Sequence, residues 1–354
     1  MTVRVLRDAD ASLSDIAGER VVVIGYGIQG RAQSLNLRDS GVNVVVGNRR
    51  DDYAARARAD GFDVLPITEA ATAGRIVILL IPDEAQPDVF PAAIGPHLEE
   101  GDGLVLAHGF SIRYGLLDTP PNIDLMLLAP RMPGKYVRER YLAGSGVPAY
   151  VDVAHDASGR AWKRVLALAK AIGATRAGVL AVSFEHETEL DLFSEHFTFP
   201  LVFRALELAF EELVAAGYPP EVAIMELHGS GELGQVLEEA GRIGLYRMLE
   251  RRASPAGRYG VLRHRHTVLD PEATRQLAQR TLARIRDGSF ARELVEDHRA
   301  GHPELDRMTQ ESRELPLTHA EAAFRKLLHR EDSNPQPSVR RLHSFSDPPW
   351  GSGA

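Results

Sequence analysis

The sequence predicts an α/β domain built on a parallel sheet, followed by an all-helical domain. Three observations carry that expectation. Short β-branched runs alternate with Ala- and Arg-rich stretches through the first half, and a glycine-rich turn follows the first of these runs. From Phe184 to Ala300 the β-branched runs give way to Leu, Ala and Glu. Strand, helix, strand at this spacing reads as a parallel sheet with covering helices. At roughly 100–200 residues per domain, a chain of 354 residues holds two.

Taken in order, residues 20–24, 42–46, 75–81 and 103–107 read as buried strands, and 123–129 and 148–151 as two more. Residues 29–40 and 53–60 read as helices, because Ala, Leu, Arg and Asp recur there without a period of two. A further helix spans 158–173, and 174–182 is either a last strand or an extended link. The boundary is placed at 182, with the nucleotide domain over 1–182 and the helical domain over 183–330. Within the long helical stretch 188–217, Pro200 should kink or end a helix near Phe199, since it removes a backbone donor and crowds the preceding turn. Pro219 and Pro220 open a helix over 221–227, and 232–249 continues the helical region. Thr318 and Glu321 fit a capping box before 322–328, and the Pro-, Ser- and Arg-rich residues 331–354 read as a disordered tail.

Composition narrows the chemistry. There are 41 Lys plus Arg against 49 Asp plus Glu, a net charge of -8, which offers no global basic field for nucleic acid or an anionic membrane. Cysteine is absent, which excludes a thiolate nucleophile, a disulfide scaffold and Cys-type metal sites. The N-terminal residues carry charge and no apolar core, so they do not read as a secretory signal. No apolar stretch approaches the ~20 residues of a membrane helix. The expectation is a soluble cytoplasmic protein.

The strongest local signal is Val21-Val22-Val23-Ile24-Gly25-Tyr26-Gly27-Ile28-Gln29-Gly30. A buried strand enters a turn at Gly25, Gly27 admits a diphosphate to the backbone, and Gly30 lets the next helix pack closely. The helix N-terminus then offers N–H groups and a favourable dipole to the pyrophosphate. The second strand ends in Asn48-Arg49-Arg50-Asp51-Asp52. Arg49 and Arg50 suit a 2′-phosphate, whereas Asp51 or Asp52 suits free ribose hydroxyls, so NADH and NADPH both stay open. Pro82, Asp83 and His108 lie at C-terminal strand ends, where open α/β sheets bind ligands.

In the helical half, Glu187, Asp191 and Glu195 recur every four residues, which stacks them on one helix face. No Lys or Arg occurs from Phe184 to Phe203, so a hard divalent cation such as Mg²⁺ would relieve their repulsion; a solvated acidic face is the plainer alternative. Glu226 stands among Val222, Ile224, Met225 and Leu227, where a buried carboxylate needs a partner.

The residues together resemble the short bacterial form of ketol-acid reductoisomerase. The resemblance rests on Gly25-Tyr26-Gly27-Ile28-Gln29-Gly30-Arg31-Ala32-Gln33, Ala107-His108-Gly109-Phe110, Ala129-Pro130-Arg131-Met132-Pro133-Gly134 and the run from Glu187 to Glu195, all in order between about Val21 and Tyr259. It implies a Rossmann-type domain, then a knotted all-α domain, in a homodimer or larger assembly with active sites shared between subunits. It further implies NAD(P)H, Mg²⁺ and an acetohydroxy acid of the 2-acetolactate kind, rearranged by an alkyl shift and then reduced. On this resemblance the catalytic set is His108, Arg131, Glu187, Asp191, Glu195, Glu226 and Ser254. Asp191, Glu195 and Glu226 would hold metal, with Glu226 coming from the other subunit. The cofactor set is Gly25, Tyr26, Gly27, Ile28, Gln29, Gly30, Arg49, Arg50, Asp51, Asp52, Pro82, Asp83, His108 and Gly134. Two positions depart from the family pattern: Arg131 stands where members carry Lys, and Ser230 where they carry Glu. Two other readings stay open, a carbonyl or imine reductase without alkyl migration and a non-catalytic nucleotide-binding scaffold.

Overall fold

Among the described residues, nine strands form one sheet in the order β1-β9-β8-β7-β6-β5-β2-β3-β4. They are β1 (Val5–Leu6), β2 (Val21–Ile24), β3 (Val44–Gly47), β4 (Val64–Leu65), β5 (Ile76–Leu79), β6 (Gly103–Leu106), β7 (Asp124–Pro130), β8 (Ala149–His155) and β9 (Val179–Ala181). The structure is a computed structural model that describes residues 4–328, so the expected tail over 331–354 lies outside the described residues. β4, β3, β2, β5, β6 and β7 run parallel; β7 pairs antiparallel with β8, and β9 antiparallel with β1. The helices among them are α1 (Ile28–Asp39), α2 (Asp52–Ala59), α3 (Ile67–Ala71), α4 (Gln86–Ala93), α5 (Phe110–Arg113), α6 (Gly134–Leu142), α7 (Ala161–Ala171), α8 (Ala174–Ala177) and α9 (Phe184–Phe193).

The central strands are apolar at every position because both faces of the sheet are covered. Val21, Val23, Ile76 and Ile78 pack on one side with Leu37 and Leu168, while Val22, Ile24, Val77 and Leu79 pack on the other with Phe90 and Ala93. β1, β4 and β9 are two- or three-residue strands, too short to leave a periodic signal. The ambiguous stretch after α7 resolves into both a helical turn and a strand. Gly178, at φ +116 in a conformation open to glycine, separates α8 from β9.

The described chain divides into two compact units, one running to Asp191 and the other from Leu192. The described residues of the second unit are helical throughout, with α10 (Phe199–Ala215), α11 (Pro220–Ile224), α12 (Glu232–Ile243), α13 (Leu245–Arg252), α14 (Pro255–His264), α15 (Pro271–Arg286), α16 (Ser289–Arg299), α17 (Pro303–Arg313) and α18 (Pro316–Leu327). Phe210, Ala223, Ile224, Ala320 and Phe324 form one of its buried clusters. The interruption expected near Phe199 is a π-turn over Ser194–Thr198, and Pro200 falls in the first turn of α10, where a missing N–H costs least. The expected capping box at Thr318 and Glu321 does not form. Pro316 starts α18 two residues before Thr318, the Thr318 hydroxyl donates to the Ser312 carbonyl at 2.8 Å, and Glu321 pairs with His228 at 2.8 Å. Among the described residues no helix is long and apolar enough to cross a membrane.

Candidate active site

β2 delivers the glycine turn, and each glycine has its own reason. Gly25 has φ +97, and a Cβ there would meet the Leu80 carbonyl oxygen at 2.7 Å. A Cβ on Gly30 would lie 1.9 Å from the Gly25 oxygen, so only hydrogen lets α1 start this close to the strand. Gly27, at the N-cap of α1, is different: a Cβ there meets nothing within 4 Å. The space above Gly27 is therefore not needed for packing, and the first N–H groups of α1 have no acceptor inside the helix. That arrangement fits a pyrophosphate.

The flanking residues separate by role. Tyr26 is buried, stacks edge-on against Phe62 and donates its hydroxyl to Asp60 at 2.9 Å, so its side chain serves the core. Ile28 is exposed, and Gln29 donates from Nε2 to the Met132 carbonyl at 2.9 Å. Gly134 is buried, and a Cβ there would lie 2.0 Å from the Ile28 carbonyl, so it brings the start of α6 against the start of α1. At the end of β3, Asp51 accepts from the Ala54 N–H at 3.0 Å as the N-cap of α2, and from Asn48 Nδ2 at 2.8 Å. Arg49 pairs with the same carboxylate at 2.9 Å. Arg50 and Asp52 are exposed.

The sheet brings the remaining polar groups together. β2 and β5 are neighbours from which the chain continues to opposite sides, and ligands of open α/β sheets bind at such a switch point, beyond the C-terminal strand ends. Asp83 follows β5, His108 follows β6 and Arg131 follows β7, so three adjacent parallel strands present them side by side. Asp83 Oδ2 lies 2.6 Å from His108 Nδ1, and His108 Nε2 lies 3.6 Å from Asp191 Oδ2. Arg131 donates from Nη1 to Glu187 Oε1 at 2.9 Å and from Nη2 to Asp191 Oδ1. Its guanidinium also stacks over the Tyr150 ring at 5.0 Å.

Glu187 is fully buried, and its other oxygen accepts the Gly109 N–H at 2.7 Å. A Cβ on Gly109 would lie 2.5 Å from the Phe184 carbonyl, so glycine is what lets this loop touch α9. Burial pushes the Glu187 carboxyl up, against the pull of His108, the Gly109 N–H and Arg131. Burial alone would lower the His108 imidazole, but Asp83 foremost, with Glu187 and Asp191, outweighs it and raises it to about 9.

The repulsion expected along the acidic helix is met from elsewhere in the fold. Arg131 and His108 face Glu187 and Asp191, and Arg113 pairs with Glu189 at 3.1 Å. His108, Glu187 and Asp191 each offer a ligand atom, all within 4.8 Å of one another. Both Glu187 oxygens already accept hydrogen bonds, so the oxygen best placed for a hard cation is Asp191 Oδ2. A divalent ion held there would displace the His108 contact and share the Asp191 carboxylate with Arg131. Tyr150, beneath the Arg131 guanidinium, is a residue of the site that sequence reasoning passes over, and Gly109, quoted there with His108, was given no role of its own.

On the second unit, Glu195 and Glu226 are both exposed, and both sit in π-turns, over Ser194–Thr198 and Met225–Gly229. Glu226 is thus not buried among its apolar neighbours, and Val222 and Met225 beside it are exposed as well. Ser230 lies just past the second π-turn. The Ser254 hydroxyl caps α14 by accepting the Gly257 N–H at 3.1 Å.

Residues 15–178 match the family described as acetohydroxy acid isomeroreductase, NADPH-binding domain, and residues 184–330 match the ketol-acid reductoisomerase C-terminal domain. The chain belongs to the ketol-acid reductoisomerase family. It is an NAD(P)H-dependent oxidoreductase with acetohydroxy-acid-like substrates. Over 329 residues it is 44% identical to the ketol-acid reductoisomerase (NADP(+)) of Pyrobaculum calidifontis, covering 92% of this chain and 98% of that one. The enzyme of the same name from Methanopyrus kandleri is 42% identical over 334 residues, 93% of this chain and 99% of the other. An NADH-preferring ketol-acid reductoisomerase from an uncultured archean superposes with a TM-score of 0.87 at 36% identity, covering 92% of this chain and 99% of that one.

Proposed function

We propose that this reductoisomerase binds Mg²⁺ at Asp191 and Glu195 of one chain, with Glu226 contributed by the other subunit, and that it reduces its substrate more readily than it rearranges it. The observation that carries the reading is Arg131, whose guanidinium spans Glu187 and Asp191. When bound, the divalent cation polarises the substrate oxygens and the nicotinamide supplies hydride to the 2-keto carbon. The protein's own groups do the rest. Arg131 holds the two carboxylates in register, His108 presents a proton-bearing nitrogen toward Asp191, and buried Glu187 anchors the Gly109 backbone.

An alkyl shift asks for two cations at short separation, whereas hydride transfer asks for one polarised carbonyl and a posed nicotinamide. Arg131 already engages Asp191, and Ser230 offers only a neutral hydroxyl. Arg is a wide planar fork where a Lys would be a compact ammonium. The test compares cofactor oxidation on 2-acetolactate and on the corresponding 3-hydroxy-2-keto acid, with the product's carbon skeleton identified. The keto acid is expected to turn over about 10–100-fold faster, the scale set by groups that support a metal site. Equal turnover of both would restore the full two-step reaction at normal efficiency. Arg131→Lys with Ser230→Glu should narrow the gap.

Cofactor choice falls to Arg50 and Asp52 on this reading, because Asp51 is committed to the α2 cap and to Arg49. Exposed Arg50 favours NADPH. Arg50→Glu should weaken NADPH while leaving NADH within about twofold, one Arg–phosphate contact being worth roughly 1–3 kcal/mol. Equal loss of both cofactors would remove Arg50 from that role. The same reading makes the working unit a dimer with shared sites, possessed of Ser254 near the substrate carboxylate and located in the cytoplasm.

A further inference from the structure

Asp83 stands where sequence position suggests a nucleotide contact, yet its carboxylate is turned to His108. One oxygen, Oδ2, lies 2.6 Å from His108 Nδ1. The other, Oδ1, accepts from Gln86 Nε2 at 3.0 Å, and the same Gln86 nitrogen reaches the Ile81 carbonyl at 3.2 Å. Gln86 is 2% exposed, so this brace is built into the fold. A carboxylate can only accept here, and therefore Nδ1 carries its proton toward Asp83. That leaves Nε2 facing the other way, buried, 3.6 Å from Asp191 Oδ2 and with no hydrogen-bond partner of its own.

We propose that Asp83, braced by Gln86, is a positioning residue: it fixes the His108 ring so that Nε2 is presented to the substrate beside Asp191, and it acts on the reaction through His108 alone. A carboxylate on the far nitrogen of a working imidazole keeps that nitrogen protonated and holds the ring plane. Asp83 and Gln86 are three residues apart across the turn that follows β5, so one short segment supplies both the orienting group and its brace. His108 comes from the neighbouring strand end, and the parallel register of β5 and β6 is what brings the two loops to one place. The inference rests on the reading of His108 as a substrate-side group.

The experiment uses the full chain with Mg²⁺ and NADPH, and the variants Asp83→Asn, His108→Gln and the double variant. Two readouts are taken. In ¹⁵N-histidine-labelled protein, wild type should show a far-downfield Nδ1-bound proton that His108→Gln removes; Asp83→Asn should shift it upfield or lose it. In turnover of the 3-hydroxy-2-keto acid, Asp83→Asn should lower kcat by about 10–100-fold with the NADPH Kd within about twofold. In the His108→Gln background the same change should cost nothing further. An equal loss in both backgrounds, or a tenfold weaker NADPH Kd with the downfield proton unmoved, would overturn the proposal. If wild type turned over no substrate of this class, the reductase reading would fail while the ¹⁵N signature still decided whether Asp83 holds the ring.

Discussion

Gly25, Gly27 and Gly30 look alike in the sequence, but a side chain at each would meet different surroundings. Gly27→Ala adds a methyl into open space, so the protein should fold with unchanged stability and bind NADPH more weakly. Gly30→Ala drives a methyl into the Gly25 carbonyl, and overpacking of that kind costs about 1–3 kcal/mol. Urea unfolding beside a fluorescence titration of cofactor separates the two. A Gly27 variant that loses stability, or a Gly30 variant that keeps it, would show the turn is built otherwise. Arg131 is the other residue whose environment decides its meaning. Arg131→Met should leave buried Glu187 without the guanidinium that hydrogen-bonds it, with only His108 and the Gly109 N–H as partners, and thermal unfolding should reveal a loss of up to about 3–5 kcal/mol even where no turnover is measured.

At the scale of elements, α1 and α2 are tied to each other through Asp60, the C-cap residue of α2. Its carboxylate pairs with Arg31 of α1 at 2.7 Å and accepts from Tyr26 at 2.9 Å. The Arg31 hydrogen bond, with Tyr26 in support, holds the Asp60 pKa below its usual value against partial burial. A depressed folded pKa means the contribution is complete above the unfolded value and is lost as pH falls through the folded one. Asp60→Asn should therefore cost about 1 kcal/mol at pH 7, and the difference from wild type should begin to close below about pH 4 and vanish only below the lowered folded pKa. Chemical unfolding at a series of pH values from 7 down to about 2 measures both; a gap that did not narrow over that range would locate the effect in packing instead. α2 depends likewise on its cap. Asp51→Ala should destabilise the protein by about 1 kcal/mol, the usual worth of an N-cap carboxylate.

For the whole molecule, the second unit leaves many large apolar side chains in solvent. Phe199 is 51% exposed, Phe203 62%, Val222 56% and Met225 52%. Patches of that kind mark association surfaces, and a second copy of the chain is the occupant the proposed shared site requires. If Asp191 and Glu226 meet across subunits, mixing inactive Asp191→Asn and Glu226→Gln proteins should restore activity. Half the dimers would be mixed, and each would hold one intact site of two, giving about a quarter of wild-type turnover. Subunit exchange is checked by mass spectrometry of differently labelled chains. Exchange without recovered activity would place each site within one subunit.

The sequence by itself determined the order of the central strands' chain positions, the glycine turn and the change to an all-helical second half. Those features are local: apolar runs, a strand-to-helix spacing and composition are written in neighbouring residues. It also named Asp83, His108, Arg131, Glu187 and Asp191 individually. What it left undecided was which of them touch. Nothing in the acidic helix shows that its compensating cations come from residue 113 and residue 131, because those partners lie 76 and 60 positions away. Nor does a strand-end aspartate show whether it will meet a ribose or an imidazole 25 positions on. Those pairings arise only when parallel strands bring separate loops to one edge of the sheet, and only there does a glycine without a side chain decide how closely a loop and a helix can meet.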